Sequence, residues 1–309
     1  MRITLTVFVS LLILSCQGTL PVQSDGLPGE VREFTTSIQD QKRKARIYVP
    51  AGYEKKLPVI VLLHGSGSDG ASVEIQSGLS GAAQKKGFIA VYPDALPLDP
   101  TRPAGATNPR VWSDGSGRGF AGEHPQNDIE FLKKLINSMK KESNVDSNQI
   151  HLVGFSNGGS MSFRLAREIP EYFGRIAIVA GVSWIESTSR PSRDLLYITG
   201  RQDPVIPPNR KIEQLPNGNV ERSTSVSSTL LQWIDRCPST AYGPGLPPDL
   251  RHRSVMFNCT DYRVQYLELP RTGHVWPGGA DDPTAELDAT SYIVRFLLDR
   301  KAQAHLLDR

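Results

Sequence analysis

The chain is poor in cysteine, with 3 in 309 residues, and it contains only 6 histidines. No histidine stands at a zinc-binding spacing from a cysteine or from another histidine. The sequence therefore predicts no metal site, and we expect no cofactor.

A strong excess of one charge is also missing, because 35 Lys and Arg residues nearly balance 32 Asp and Glu residues. Nucleic-acid-binding chains concentrate positive charge on a patch or stripe. The one basic cluster, Lys42–Arg46, opens a strand-like segment and indicates a solvated sheet edge. We find no internal repeat, and we expect no nucleic-acid partner.

Long apolar runs are limited to the N-terminus, where Arg2 precedes the run Ile3–Leu14. That run is too short for a comfortable transmembrane helix and fits the core of a signal peptide. The following Ile13-Leu14-Ser15-Cys16 resembles a bacterial lipobox. We predict a lipoprotein signal peptide at residues 1–15 and lipidation of Cys16; the alternative is an ordinary signal peptide with an incidental cysteine.

The segment after Cys16 is rich in glycine, proline and polar residues, which predicts a flexible tether at residues 16–30. The predicted location is therefore outside the cytoplasm. The protein would be lipid-anchored at the bacterial cell envelope, with the membrane as a partner, or secreted.

From residue 31 onward, short apolar runs alternate with helical patterns. Continuous apolar runs are typical of parallel strands buried on both faces. We predict strands at Val31–Ile38, Lys44–Val49, Val59–Leu63, Ile89–Tyr92, Ile150–Val153, Ile176–Ala180, Leu195–Thr199 and Val264–Leu269, and helices at Asp128–Lys141, Ser160–Glu168, Ser225–Arg236 and Glu286–Arg300. This alternation predicts one α/β domain at residues 31–309, with a mostly parallel central sheet and helices on both faces.

One short motif stands where a strand passes into a helix: Gly154-Phe155-Ser156-Asn157-Gly158-Gly159. A serine on such a turn adopts a strained backbone conformation, and the flanking glycines let strand and helix approach it closely. The motif predicts Ser156 as a catalytic nucleophile; the alternative is an ordinary helix N-cap.

Two partners follow Ser156 at the ends of predicted strands. Asp203 comes just after Leu195–Thr199, and His274 lies in the loop past Tyr262–Leu269. The order serine, aspartate, histidine is that of α/β-hydrolases and differs from the orders in chymotrypsin-like and subtilisin-like enzymes. We therefore predict a triad of Ser156, Asp203 and His274.

The triad assignments have alternatives. Asp203 precedes proline, as many turn aspartates do, and Asp235 and Asp261 are rival acids. Asp235 falls within a helical segment, however, and Asp261 precedes a strand. The remaining histidines are assigned to packing, polar loops or the C-terminal tail: His64, His124, His151, His252 and His305.

An oxyanion hole is predicted from two backbone N–H groups. One belongs to Asn157, directly after the nucleophile. The other belongs to Ser66, in the glycine-rich loop that follows Val59–Leu63. His64 is expected to pack beneath this loop.

Five motifs together resemble the polyhydroxybutyrate depolymerase and feruloyl esterase group of secreted α/β-hydrolases. They are Leu63-His64-Gly65-Ser66, Tyr92-Pro93-Asp94, Gly154-Phe155-Ser156-Asn157-Gly158-Gly159, Gly200-Arg201-Gln202-Asp203-Pro204 and Gly273-His274-Val275-Trp276-Pro277-Gly278-Gly279. The resemblance implies an α/β-hydrolase fold and a serine esterase. The chain departs from the group at Arg201-Gln202, where a histidine-glycine pair is commoner.

The resemblance and the predicted export together imply a disulfide between Cys237 and Cys259, which flank a polar insert; the alternative is two free thiols. The long segment Leu96–Gln126 carries Trp112, and Trp276 follows His274 by two residues. We predict that Trp112 and Trp276 help form a substrate subsite, the alternative being that both are packing anchors.

The leading functional prediction is a secreted serine esterase that cleaves carboxylic esters through an acyl-enzyme. Its substrates would be feruloyl or acetyl esters of plant polysaccharide, or polyhydroxybutyrate-type polymers. A serine peptidase of the same fold and a non-catalytic surface lipoprotein are the alternatives.

Overall fold

The computed structural model describes residues 26–117, 126–185, 193–214, 222–235, 237, 239–242, 254–282 and 285–299. The predicted signal peptide, Cys16 and most of the predicted tether lie outside these residues. None of the helices in the described ranges combines the length and the apolar composition that a membrane span requires.

The described chain alternates strands and helices. The strands are β1 (Glu30–Ile38), β2 (Gln41–Val49), β3 (Leu57–Leu63), β4 (Ile89–Pro93), β5 (Val145–Phe155), β6 (Arg175–Val179), β7 (Asp194–Gly200), β8 (Ile212–Gln214), β9 (Arg222–Thr224), β10 (Ser239–Tyr242), β11 (Ser254–Asn258) and β12 (Arg263–Leu269). The α-helices are α1 (Gly70–Ser77), α2 (Leu79–Lys86), α3 (Gln126–Met139), α4 (Asn157–Glu168), α5 (Val226–Ile234) and α6 (Ala289–Leu298).

Ten of these strands form one sheet in the order β1-β2-β4-β3-β5-β6-β7-β12-β11-β10. The strands from β4 to β12 in this order are parallel, whereas β1–β2, β2–β4, β12–β11 and β11–β10 are antiparallel pairs. The predicted mostly parallel sheet is therefore confirmed. The predicted helices are also found, with ends that differ by at most three residues.

Both faces of the sheet are covered, and β3 shows why its sequence is continuously apolar. Val59, Val61 and Leu63 face a core that α3, α4 and α5 cover. Ile60 and Leu62 face a second core, which α1, α2 and α6 cover. Because successive side chains point to opposite faces, each of the five residues is buried.

The basic cluster Lys42–Arg46 is not a solvated edge, contrary to the prediction. Strand β2 lies between β1 and β4, and Arg43 is 1% exposed. Arg43 Nη2 lies 2.6 Å from Asp128 Oδ1, and Arg46 pairs with the buried Glu74. A buried charge requires such a partner, so these arginines tie β2 to α3 and α1.

The predicted disulfide is present and joins Cys237 to Cys259. Cys237 follows α5, and Cys259 begins the turn between β11 and β12. The bond therefore links the end of α5 to the turn of the β11–β12 hairpin.

Candidate active site

Ser156 lies on a sharp turn between β5 and α4. Its backbone has φ 54° and ψ −120°, in the left-handed half of φ space that non-glycine residues avoid. Such a conformation costs about 1–3 kcal/mol and persists where surrounding contacts impose it. The N–H of Ser156 donates to Val179 O at 2.9 Å and fixes the turn against β6.

The glycines around Ser156 are required by close packing. A Cβ at Gly154 would overlap Gly158 O, and a Cβ at Gly158 would overlap the carbonyl oxygens of Leu63 and His64. Helix α4 can therefore begin directly against the ends of β3 and β5. This confirms the mechanical interpretation of the motif.

The three predicted triad residues come together in one hydrogen-bonded chain. His274 Nε2 lies 2.8 Å from Ser156 Oγ, and His274 Nδ1 lies 2.7 Å from Asp203 Oδ2. The Asp203 side chain has no exposed surface, whereas that of His274 is 18% exposed. The imidazole is thus held from inside the protein and reaches the Ser156 hydroxyl near the surface.

Asp203 is oriented by its own loop. Its Oδ1 accepts the N–H groups of Val205 and Ile206, both at 2.7 Å. The loop itself meets the His274 loop closely, because Gln202 N donates to Thr272 O at 3.0 Å. A Cβ at Gly200 would overlap Thr272 O, so this approach depends on glycine.

The His274 loop is anchored by Trp276. The indole N–H of Trp276 donates to Thr290 Oγ1 at 2.9 Å, and that hydroxyl donates to Ser77 O at 2.6 Å. The ring of Phe155 packs near His274, with 5.4 Å between the two ring centroids. No function was predicted for Phe155; its place in the motif, directly before Ser156, is the sequence signal for this contact.

The two predicted oxyanion donors lie beside the nucleophile. Asn157 is the first residue of α4, and the first intrahelical bond of that helix runs from Ser160 N to Ser156 O. A Cβ built on Gly65, next to Ser66, would be 3.3 Å from Ser156 Cβ. Within the described residues, neither the Ser66 N–H nor the Asn157 N–H donates a hydrogen bond, and both groups stay predicted oxyanion donors.

His64 is structural, as predicted. It is completely buried, and its Nδ1 donates to Gly65 O at 2.7 Å while its Nε2 accepts the Ala95 N–H at 3.0 Å. Burial lowers the pKa of His64, although the Gly65 carbonyl opposes the effect. The imidazole is therefore neutral at pH 7, and it fixes the start of the oxyanion loop.

The prediction that Trp112 and Trp276 form a substrate subsite is wrong for this structure. Trp112 is 0% exposed and Trp276 is 1% exposed. The Trp112 indole N–H donates to His64 O at 3.0 Å, as that of Trp276 does to Thr290. Both indoles are packing anchors, because each ring is buried in the protein interior and each N–H donates to a protein acceptor.

The remaining acidic candidates lie elsewhere. Asp235 caps the C-terminus of α5, and Asp261 lies in the turn between β11 and β12. Within the ranges that the structure describes, no group of three or more His, Cys, Asp or Glu side chains is arranged to hold a metal ion. The arrangement at Ser156 is suited to nucleophilic acyl transfer.

A family described as "Phospholipase/Carboxylesterase" matches residues 44–212, which is more than half of the chain. The chain belongs to this family. The matched segment contains Ser156 and Asp203, and it ends before His274.

Curated relatives match about half of this carboxylesterase-family chain. Feruloyl esterase B of Thermothelomyces thermophilus is 29% identical over 158 residues, which are 50% of this chain and 49% of that protein. Poly(3-hydroxyalkanoate) depolymerase C of Paucimonas lemoignei is 25% identical over 151 residues, or 47% of this chain and 33% of that protein. The chain spans about half or less of the length of each curated relative it matches. The resemblance to the depolymerase and feruloyl esterase group is confirmed.

A solved structure supports the fold. An acetyl xylan esterase from Aspergillus awamori superposes with a TM-score of 0.54 at 14% identity, covering 80% of this chain and 94% of that chain. At this identity the likeness concerns the fold alone. The predicted α/β-hydrolase fold of this carboxylesterase-family protein is confirmed.

Proposed function

We propose that this protein is an exported serine esterase that hydrolyses carboxylic esters through an acyl-enzyme. The observation that carries the proposal is the continuous hydrogen-bonded chain from Asp203 through His274 to Ser156, with heavy-atom distances of 2.7 and 2.8 Å. The strained turn at Ser156 and membership of the carboxylesterase family support it independently.

In the proposed cycle, His274 Nε2 accepts the Ser156 hydroxyl proton while Oγ attacks the ester carbonyl carbon. The resulting tetrahedral oxyanion accepts hydrogen bonds from the N–H groups of Asn157 and Ser66. Collapse of this intermediate releases the alcohol, which takes the proton back from His274. Water, deprotonated by His274, then attacks the acyl-enzyme and frees the carboxylic acid and Ser156.

The first substrates to test are feruloyl esters, acetylated plant polysaccharide and hydroxyalkanoate oligomers. The names of two matched relatives refer to the first and third classes. Initial rates of the purified protein on methyl ferulate, an acetylated xylo-oligosaccharide and a hydroxybutyrate oligomer would identify the acyl group. Ser156→Ala is the control, and it must abolish the activity on whichever ester is preferred.

The same experiment addresses the alternative functions. Chromogenic dipeptide amides are added to the panel, because a serine peptidase cleaves amide bonds, which are less reactive than esters and which a simple esterase leaves intact. Cleavage of amides alone would overturn the esterase proposal in favour of a peptidase. A folded protein that cleaves no substrate and does not react with a fluorophosphonate would be a non-catalytic surface protein.

Export and lipidation are proposed for the N-terminal residues, on the basis of the apolar run Ile3–Leu14 and the lipobox-like sequence ending in Cys16. The disulfide supports an oxidising compartment. Growth of a bacterial host with a clickable fatty acid should label the wild-type chain but not Cys16→Ala. Equal labelling of both would exclude Cys16 as the lipidated residue.

A further inference from the structure

The side chain of Asn157 is fully used in hydrogen bonds to a distant loop. Its Oδ1 accepts the Trp112 N–H at 2.7 Å, and its Nδ2 donates to Trp112 O at 3.2 Å and to Asp114 Oδ2 at 2.7 Å. Asn157 is 3% exposed, so water does not compete for these bonds. The amide therefore pairs with the backbone of Trp112 much as a neighbouring strand would.

The same loop also holds the other side of the oxyanion hole. The Trp112 indole N–H donates to His64 O at 3.0 Å, and Gly67 N donates to Arg110 O at 2.9 Å. These two contacts lie on either side of Ser66 in the sequence. Gly67 has φ 80°, a backbone conformation that glycine adopts without steric cost, and its bond to Arg110 O holds it there.

The loop is in turn anchored to the protein interior. Ser113 N donates to Asp128 Oδ2 at 2.8 Å, and Arg164 Nη1 donates to Ser113 O at 2.6 Å. Asp128 is paired with the buried Arg43. Arg164 lies on α4, the helix that begins at Asn157, so the loop is bound both to the first residue of α4 and to a residue further along it.

We propose that the segment Arg110–Asp114 is a brace that sets the spacing between the two oxyanion donors, and that the Asn157 amide and the Trp112 indole N–H are positioning residues for the reaction. The proposal rests on the proposed esterase function. Neither side chain touches the substrate. Each acts through the backbone N–H of Asn157 or of Ser66, which must point at the developing oxyanion, since a misplacement of about 1 Å can lower the rate about hundredfold.

Two variants each remove one side-chain group that joins the brace to its neighbours. Asn157→Ala deletes the amide and retains the backbone N–H in a residue that favours helix. Trp112→Phe deletes the indole N–H and keeps an aromatic ring in the same place. Asn108→Ala is the matched control, because Asn108 is also 3% exposed and binds backbone groups of Asp99, Arg102 and Pro103 in the same long loop.

Each protein is first titrated with a fluorophosphonate, so that rates are expressed per reactive Ser156. We then measure kcat, KM and the inhibition constant of a trifluoromethyl ketone that carries the preferred acyl group. This ketone forms a tetrahedral adduct with Ser156 and therefore reports on the oxyanion hole. In Asn157→Ala and Trp112→Phe, kcat should fall about tenfold to hundredfold with KM nearly unchanged. The inhibition constant of the ketone should rise in proportion, and Asn108→Ala should retain the wild-type values.

Three results would overturn the brace. The first is an unchanged kcat per reactive site in Trp112→Phe. A smaller fraction of reactive protein with the same kcat would mean that the indole N–H affects stability only. The second is a raised KM at constant kcat, which would indicate ground-state binding. The third is an equal loss of kcat in Asn108→Ala.

Failure of the esterase proposal is recognised separately, because then the wild-type chain itself neither hydrolyses an ester nor reacts with the fluorophosphonate. If Asn157→Ala does not fold, Trp112→Phe carries the test.

Discussion

Asp203 binds His274 through one carboxylate oxygen and the backbone of its own loop through the other. Oδ2 lies 2.7 Å from His274 Nδ1, while Oδ1 accepts the N–H groups of Val205 and Ile206. The carboxylate is therefore fixed in rotation. It also selects the His274 tautomer with the proton on Nδ1, which leaves the Nε2 lone pair facing Ser156.

This geometry predicts a large effect for Asp203→Asn. The asparagine oxygen can still accept the two loop N–H groups, but its NH2 would then face Nδ1 and favour the wrong tautomer. We expect kcat to fall by about 10³- to 10⁴-fold with a small change in unfolding free energy, by analogy with the same change in serine proteases. Asp261→Asn, at an exposed turn, is the control in kinetic and denaturation measurements. A loss of less than tenfold in Asp203→Asn would argue against the assigned triad.

The second prediction concerns the packing of α4 against β3. A methyl group at residue 158 would overlap the carbonyl oxygens of Leu63 and His64, which belong to the backbone and cannot move aside. We expect Gly158→Ala to cost about 1–3 kcal/mol or more of stability, as overpacked sites do, and to lower esterase activity. Urea denaturation and initial rates measure the two effects.

A glycine on another helix provides the comparison. Gly81 lies inside α2, and a Cβ there would meet no atom within 4 Å. Gly81→Ala should stabilise the protein by about 0.5–1 kcal/mol, because alanine favours helix. If both substitutions had the same effect, the close approach at Gly158 would not be the cause.

The central strands and the proximity of Ser156, Asp203 and His274 could be predicted because local signals and topology agree. A strand such as β3, buried on both faces, must be apolar at every position. Residues that follow parallel strands meet at one edge of the sheet, so Asp203 and His274 could be assigned from position. The order serine, aspartate, histidine along the chain then favoured the α/β-hydrolase fold over the chymotrypsin-like and subtilisin-like folds.

Features that depend on tertiary partners could not be predicted in this way. Strands β10 and β11 lie in the polar insert and have little hydrophobic alternation. Helices α1 and α2 have eight residues each and are separated by Gly78. The burial of Trp112 and Trp276 depends on acceptors from distant segments, His64 O and Thr290 Oγ1. A tryptophan in a loop has the same sequence signature whether it packs inward or contacts a ligand.

The third prediction concerns the disulfide. Cys237 and Cys259 are separated by 22 residues, and closing a loop of that size stabilises a protein by roughly 3 kcal/mol in the chain-entropy picture. We expect the double variant Cys237→Ser, Cys259→Ser to lose about that much in urea denaturation. Its kcat at low temperature should be unchanged, because the bond lies outside the triad. A reducing agent should destabilise the wild type but not the variant, and equal sensitivity of both would contradict the prediction.

The last prediction is a pH dependence of stability that comes from His151. This residue lies in β5, is 4% exposed, and accepts the Arg175 N–H on Nδ1 at 3.1 Å. Burial, helped by the positive charge of Arg175 and opposed by Asp146, lowers the pKa of His151 to about 4. In the unfolded chain the pKa of a histidine is about 6.5. Between these values the unfolded state binds the additional proton, so the stability of the folded state falls as the pH falls from about 6.5 to about 4.

The effect of His151 should reach about 3 kcal/mol at pH 4, because each unit of pKa difference corresponds to roughly 1.4 kcal/mol. We would measure unfolding free energies of the wild type and His151→Gln between pH 4 and pH 7. Glutamine can still accept the Arg175 N–H but does not titrate. The unfolding free energy of the variant should therefore depend less steeply on pH, with up to one proton fewer taken up on unfolding. His64, whose pKa is also lowered by burial, contributes equally to both proteins and cancels in the difference. Parallel curves over this range would mean that His151 is not the group that titrates.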